Sequence, residues 1–250
     1  MEKKKINREA IRKLMLLLSF SLFPITIHLS PGPPIMILKA GVINLSVIII
    51  ISIFLSGLFF RRAFCGWICP GGGCQLVAQA INNKNLQKQK IDWIRIVLVT
   101  LWVILMIKVA FFCNKNLILD VDHPGIGKFA TSNNRFFLPY IPTVIFIFLF
   151  VFIFGKRGFC HRGCWIYPII ALSTKFGRLI YMPNLYVKAK HIDNCNNCMI
   201  CTKNCSMSID VNSYIQKKNS LPNNCIQCGL CIDKCPKSVL SFAYGIENNN

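Results

Sequence analysis

The sequence predicts an α-helical membrane protein, with four transmembrane helices as two duplicated hairpins and a small, cysteine-dense α+β domain behind them. Three observations predict it. Apolar residues make up 54% of the 250, and the mean hydropathy of +0.49 leaves too little polar sequence to cover them in an ordinary soluble fold. A phrase that reads RRAFCGWIC at Arg61–Cys69 returns as KRGFCHRGC at Lys156–Cys164, each time after a long apolar run. Eight of the 14 cysteines fall in two matching runs near the C-terminus.

The spans come first in the chain. Leu14–Ser30, Ala40–Phe60 and Phe136–Gly155 carry no charge, and Trp93–Cys113 carries only Arg95 and Lys108 near its ends. Each is near the ~20 residues a bilayer requires. Basic residues crowd the segments before the first run, between the second and third, and after the fourth. The other two loops hold only Lys39, Lys115, Lys128 and Arg135. That asymmetry predicts a multi-pass protein of the bacterial cytoplasmic (inner) membrane with both termini cytoplasmic. The first run is expected to stay as an uncleaved helix, because no small-x-small cleavage site follows it. The net charge of +20 is then a topology signal and an anionic-lipid surface. No basic patch interleaved with aromatics points to nucleic acid.

The duplicated phrase implies two hairpins of the same orientation, related by a pseudo-twofold axis along the membrane normal. If each phrase continues its helix, Cys65 stacks on Cys69 and Cys160 on Cys164. The axis then brings the four thiols together among Arg61, Arg62, Lys156 and Arg157, as a candidate redox or metal centre. Buried cysteines closing a helix junction are the plainer alternative. Cys74 is read as idle and Cys113 as structural.

The C-terminal runs are CNNCMICTKNC, with Cys195, Cys198, Cys201 and Cys205, and CIQCGLCIDKCP, with Cys225, Cys228, Cys231 and Cys235. Each is C-x2-C-x2-C-x3-C. At this spacing three thiolates wrap one cubane and the fourth reaches the neighbouring one. Cys195, Cys198, Cys201 and Cys235 would hold one 4Fe-4S cluster, and Cys225, Cys228, Cys231 and Cys205 the other. Zinc sites favour two C-x2-C units at wider separation, and a cytoplasmic setting disfavours disulfides. The segment resembles the bacterial two-cluster ferredoxin domain over about residues 188–245. Ile209 and Val239 match each other four residues past each last cysteine, and Ser206 stands where the pattern has proline. So small a domain is expected to owe its fold to ligation and to be largely disordered without it.

Taken together, GWICPGGG after an apolar run, a second C-x3-C after a later one and the two-cluster tail resemble the NapH-type membrane ferredoxins over about residues 10–240. The resemblance implies electron transfer between a quinol pool or a cytoplasmic donor and an extracytoplasmic acceptor, as a quinol-dehydrogenase partner. Trp165 stands where the family's second motif carries proline. The predicted domains are a membrane part at 1–164, an interfacial linker helix at 165–187 and a ferredoxin-like head at 188–250. For quinol, Asp120, Asp122 and His123 form the one acidic patch that could take protons, with a solvated turn as the plainer reading. The expected function is membrane iron–sulfur electron transfer with redox partner proteins. The alternative is a metal-reducing assembly factor for another enzyme.

Overall fold

The computed structural model describes residues 7–21, 42–43, 45–85, 118–119, 137–217 and 220–246, with isolated positions between 97 and 111. Helix α1 (Arg8–Ser21) is followed by strand β1 (Val42–Ile43), then by α2 (Leu45–Phe60), α3 (Ala63–Trp67) and α4 (Pro70–Ile81). The second half repeats this order: β2 (Ile118–Leu119), α5 (Phe137–Phe154), α6 (Gly158–Arg162) and α7 (Ile166–Leu179). Strands β1 and β2 pair in parallel, Val42 with Ile118 and Ile43 with Leu119, so the corresponding points of the two halves lie side by side.

The expectation of four transmembrane helices is overturned. Among the described residues no helix is long and apolar enough to cross a membrane. The apolar run at Leu14–Ser30 is described only to Ser21, within a 14-residue helix that starts at Arg8. Helix α2 has 16 residues and α5 has 18, with Pro142 inside it. At a rise of ~1.5 Å per residue both fall short of a ~30 Å hydrocarbon core. Their ends are set by the backbone: Arg61 (φ 52°), and Gly155 (φ 86°) with Arg157 (φ 55°), turn into the left-handed region just past each helix. The duplicated phrases therefore do not continue their helices. The expected span at Trp93–Cys113 lies largely outside the described residues, as do Cys113, Asp120, Asp122 and His123.

Small residues let these short helices approach closely. A Cβ at Gly73 would run into the Leu16 carbonyl, so α1 lies directly on α4. Ser173 on α7 donates to the Phe54 carbonyl of α2, and Thr174 Oγ1 donates to Gly57 O at 3.3 Å. A Cβ on Gly57 would stand 2.8 Å from Ser173 Oγ.

The C-terminal head is framed by antiparallel strands β3 (Asn184–Ala189) and β4 (Leu240–Gly245), paired from Asn184↔Gly245 to Ala189↔Leu240. Between them lie α8 (Ile200–Lys203), α9 (Val211–Gln216) and α10 (Leu230–Asp233). The first helix holds the head from outside: Arg8 pairs with Asp233, and Glu9 with Lys234 at 3.2 Å. A single buried cluster runs from Ile53 through Cys65, Cys160 and Cys164 to Val187 and Ile226. The head and the helical part thus share one core.

Candidate iron–sulfur sites

The head is built twice, at an offset of thirty residues. Left-handed backbone recurs at Asn197 and Gln227, at Met199 and Gly229, and at Ser208 and Ser238. For a residue with a side chain this conformation is strained. Its repetition at three matched positions marks it as part of how each loop wraps. Gly229 needs its freedom in any case, since a Cβ there would press on the Phe242 ring at 3.2 Å. After each run the chain folds back on its last sulfur: the Ile209 N–H donates to Cys205 Sγ and the Val239 N–H to Cys235 Sγ, both at 3.4 Å.

Two cavities result. Cys205, Cys225, Cys228 and Cys231 line one, with Met207, Ile209 and Ile226 among its apolar walls. Cys195, Cys198, Cys201 and Cys235 line the other, with Ile215, Val239 and Leu240. Each cavity thus draws three cysteines from one run and one from the other. None of the described cysteines is in a disulfide. Among the described residues no three Cys, His, Asp or Glu side chains are grouped for a single metal ion. The eight thiols ring open space instead, and four sulfurs around an apolar cavity is the donor set a 4Fe-4S cluster takes. Burial pushes the Cys225 thiol up to about 12 and the Cys205 thiol up to about 11. Thiols so placed must release their protons as metal is taken up.

Ser206, at the position the two-cluster pattern gives to proline, has a task of its own. Its hydroxyl lies 3.5 Å from Cys228 Sγ, across from its own run. Hydrogen bonds to sulfur raise a cluster's potential. One worth about 1 kcal/mol corresponds to about 40 mV for one electron. Ser206→Ala is expected to lower the potential of one cluster by about that much and leave the other in place, as read by an EPR-monitored redox titration. Equal potentials in the variant and the native chain would refute the role.

The duplicated phrases sit against the head. Cys65, Cys69, Cys160 and Cys164 are all buried. The two phrases close alike: the Cys69 N–H donates to Phe64 O at 3.0 Å, and the Cys164 N–H to Phe159 O at 2.9 Å. Each pair of cysteines is therefore brought together by one tight turn, even though the long helix has already ended. Cys74 is also buried, and burial alone pushes it to about 12. Arg61 and Arg62 are buried, and so is Arg157. Arg62 stacks on the Tyr167 ring at 4.4 Å and donates to Asn224 O at 3.0 Å. The signal for these contacts was in the sequence as the GGG of CPGGGC: a Cβ on Gly72 would meet Arg157 Nη1 at 2.7 Å, so that glycine clears the way for Arg157.

Comparison with known proteins agrees with this division. Residues 194–240 match the family model of a 4Fe-4S dicluster domain, and residues 43–87 match that of a 4Fe-4S binding domain. The ferredoxin-type protein NapH of Haemophilus influenzae is 25% identical over 198 residues, covering 75% of this chain and 64% of its own. In sequence the chain is similar to NapH-type 4Fe-4S ferredoxins. It is also 25% identical over 221 residues to an uncharacterized protein of Methanocaldococcus jannaschii, covering 86% of this chain and 85% of that one. YccM of Escherichia coli, provisionally named an electron transport protein, is 23% identical over 210 residues, 79% of this chain and 56% of its own. The chain thus spans under two thirds of the length of two of these relatives. No solved structure matches it. Together these comparisons support iron–sulfur electron transfer.

Proposed function

We propose that this protein is a one-electron carrier with two 4Fe-4S clusters in its head. Cys195, Cys198, Cys201 and Cys235 hold one, and Cys225, Cys228, Cys231 and Cys205 hold the other. The observation that carries the proposal is the pair of cavities, each ringed by four thiols drawn from both runs. The clusters supply the electron storage. The chain supplies ligands, sulfur-directed N–H groups and apolar walls that keep water from the sulfurs, and these set the potential. Cys198 is exposed, which opens one end of the head to a redox partner protein.

The same reading puts the outer faces of α2 and α5 against a lipid bilayer of the cytoplasmic membrane. Ile51, Leu55, Ile145 and Ile153 on these faces are each at least half exposed, and the net charge of +20 favours an anionic lipid surface.

The test is a single preparation of the full chain, purified anaerobically. It should contain iron with an equal amount of acid-labile sulfide, give interacting EPR signals on reduction, and float with anionic-lipid vesicles. Cys225→Ser should lose about four irons per chain. Iron content unchanged in that variant would sink the ligand assignment, and failure to float would sink the lipid contact.

A further inference from the structure

We propose that Cys65, Cys69, Cys160 and Cys164 together hold a third iron–sulfur cluster, bound across the two halves of the chain and seated directly against the head. The 4Fe-4S binding match at 43–87 contains only the first pair, so the second pair and the joint site come from the structure. The inference deepens the electron-carrier reading and rests on it for the role of the head.

The halves are latched to each other at these thiols. Gln75, from the first half, is fully buried and donates from Nε2 to Cys160 Sγ at 3.1 Å, while its Oε1 accepts from the Cys160 N–H at 3.3 Å. Arg157, from the second half, reaches Cys65 O at 3.4 Å. Cys65, Cys160 and Cys164 fall in one buried cluster, and the Gln75 amide that bonds Cys160 also donates to the Gly71 carbonyl, two residues past Cys69, at 3.0 Å.

The charges say what belongs there. Buried guanidinium groups cost several kcal/mol each unless an anion compensates them. Arg62 Nε and Arg157 Nε are buried without a hydrogen-bond acceptor among the described residues. The groups whose charge acts most strongly on Arg62 are Cys65, Cys160, Tyr167 and Cys164, and none of these is a carboxylate. Four neutral thiols, or two disulfides, would leave these cations uncompensated. A cluster held by four thiolates is a net anion and compensates them. Gln75 would then hold one sulfur ligand as hydrogen-bond donors do in other iron–sulfur sites, and Arg62 and Arg157 would supply positive charge beside it.

Placement fits an electron path. A Cβ on Gly66 would overlap the carbonyl of Ile226, so the first phrase touches the loop between Cys225 and Cys228 with nothing between them. Trp67 Nε1 donates to Gln227 O at 3.0 Å. His161, in the second phrase, bonds Met207 O at 3.1 Å, two residues past Cys205. Both phrases therefore rest on the two segments that line the nearer head cavity.

The test is iron and acid-labile sulfide per full-length chain, purified anaerobically, with zinc measured in the same sample. About twelve irons are expected in the native protein. About eight are expected when Cys65, Cys69, Cys160 and Cys164 are all changed to Ser, with the EPR signals of the head retained. About eight in both proteins would overturn the third cluster and leave the two-cluster reading standing. Zinc filling the site in place of iron would also overturn it. Well under eight in the native protein would overturn the two-cluster reading itself. Should the fourfold variant fail to fold, the native count decides alone. Arg62→Gln adds a second readout: it removes a buried positive charge and should lower the potential of the third signal by more than it lowers those of the head, where Arg62 also lies beside Cys225 through Asn224 O. A potential unmoved by Arg62→Gln would overturn the assignment of that signal to this site.

Discussion

Removing iron from the purified chain should unfold residues 184–246. The head frames its two cavities with one pair of six-residue strands and three helices of at most six residues. The apolar side chains between them, such as Val187, Val211 and Ile226, are few. A domain of that size sits near the limit of independent stability, and metal ligation in small metal-built folds contributes on the order of 10 kcal/mol. Strained left-handed residues at Met199, Gln227, Ser208 and Ser238 add to what ligation must offset. Hydrogen exchange after chelation is the measurement. The amides of β3 and β4 should lose their protection, while those of α2 and α7, packed through Gly57, Ser173 and Thr174, keep theirs. Strand amides that stayed protected without iron would mean that the apolar core alone holds the head.

Gly66→Ala should uncouple the head from the duplicated phrases. The added methyl has no room, because the obstacle is the Ile226 carbonyl rather than a side chain that could swing away. Overpacking of this kind typically costs about 1–3 kcal/mol. Here the loss falls on one contact surface, together with the bonds from Trp67 to Gln227 O and from Arg62 to Asn224 O. The expected result is faster exchange at 224–228 and slower electron delivery to or from the helical part. The iron content of the head should be unchanged. Unaltered exchange in the variant would show that the contact is looser than its geometry implies. Loss of head iron would show that the contact is needed to build the cavity.

Short-range spacing was the most legible part of the sequence. C-x2-C-x2-C-x3-C leaves the chain few ways to turn, so the two runs alone announced which cysteines would share a cavity, and iron counts will decide which ones ligate. The duplicated phrase likewise raised the expectation that Cys65, Cys69, Cys160 and Cys164 meet; the structure buries all four, and iron counts will decide whether they share a centre. How they meet was misread, because the turn at Arg61 depends on backbone geometry that an apolar count does not report. Helix lengths failed for the same reason: hydropathy says that Leu45–Phe60 is apolar, but not where its helix stops. The Ser206–Cys228 bond, the Gln75 latch and the fit of Gly66 on Ile226 join residues from 22 to 160 positions apart. They follow from tertiary packing, and no local pattern could have shown them. The GGG after Cys69 was the one visible hint, since three adjacent glycines in a helix are costly unless something must come close.

The crossed arrangement of the head has a consequence for synthesis. The cavity of Cys195, Cys198 and Cys201 lacks its fourth cysteine until Cys235 has been made, and Cys205 waits in the same way for Cys225, Cys228 and Cys231. Neither run can complete a site alone. Cofactor insertion therefore has to follow the synthesis of both runs, and a delivery factor has to recognise a segment in which both are present and still open.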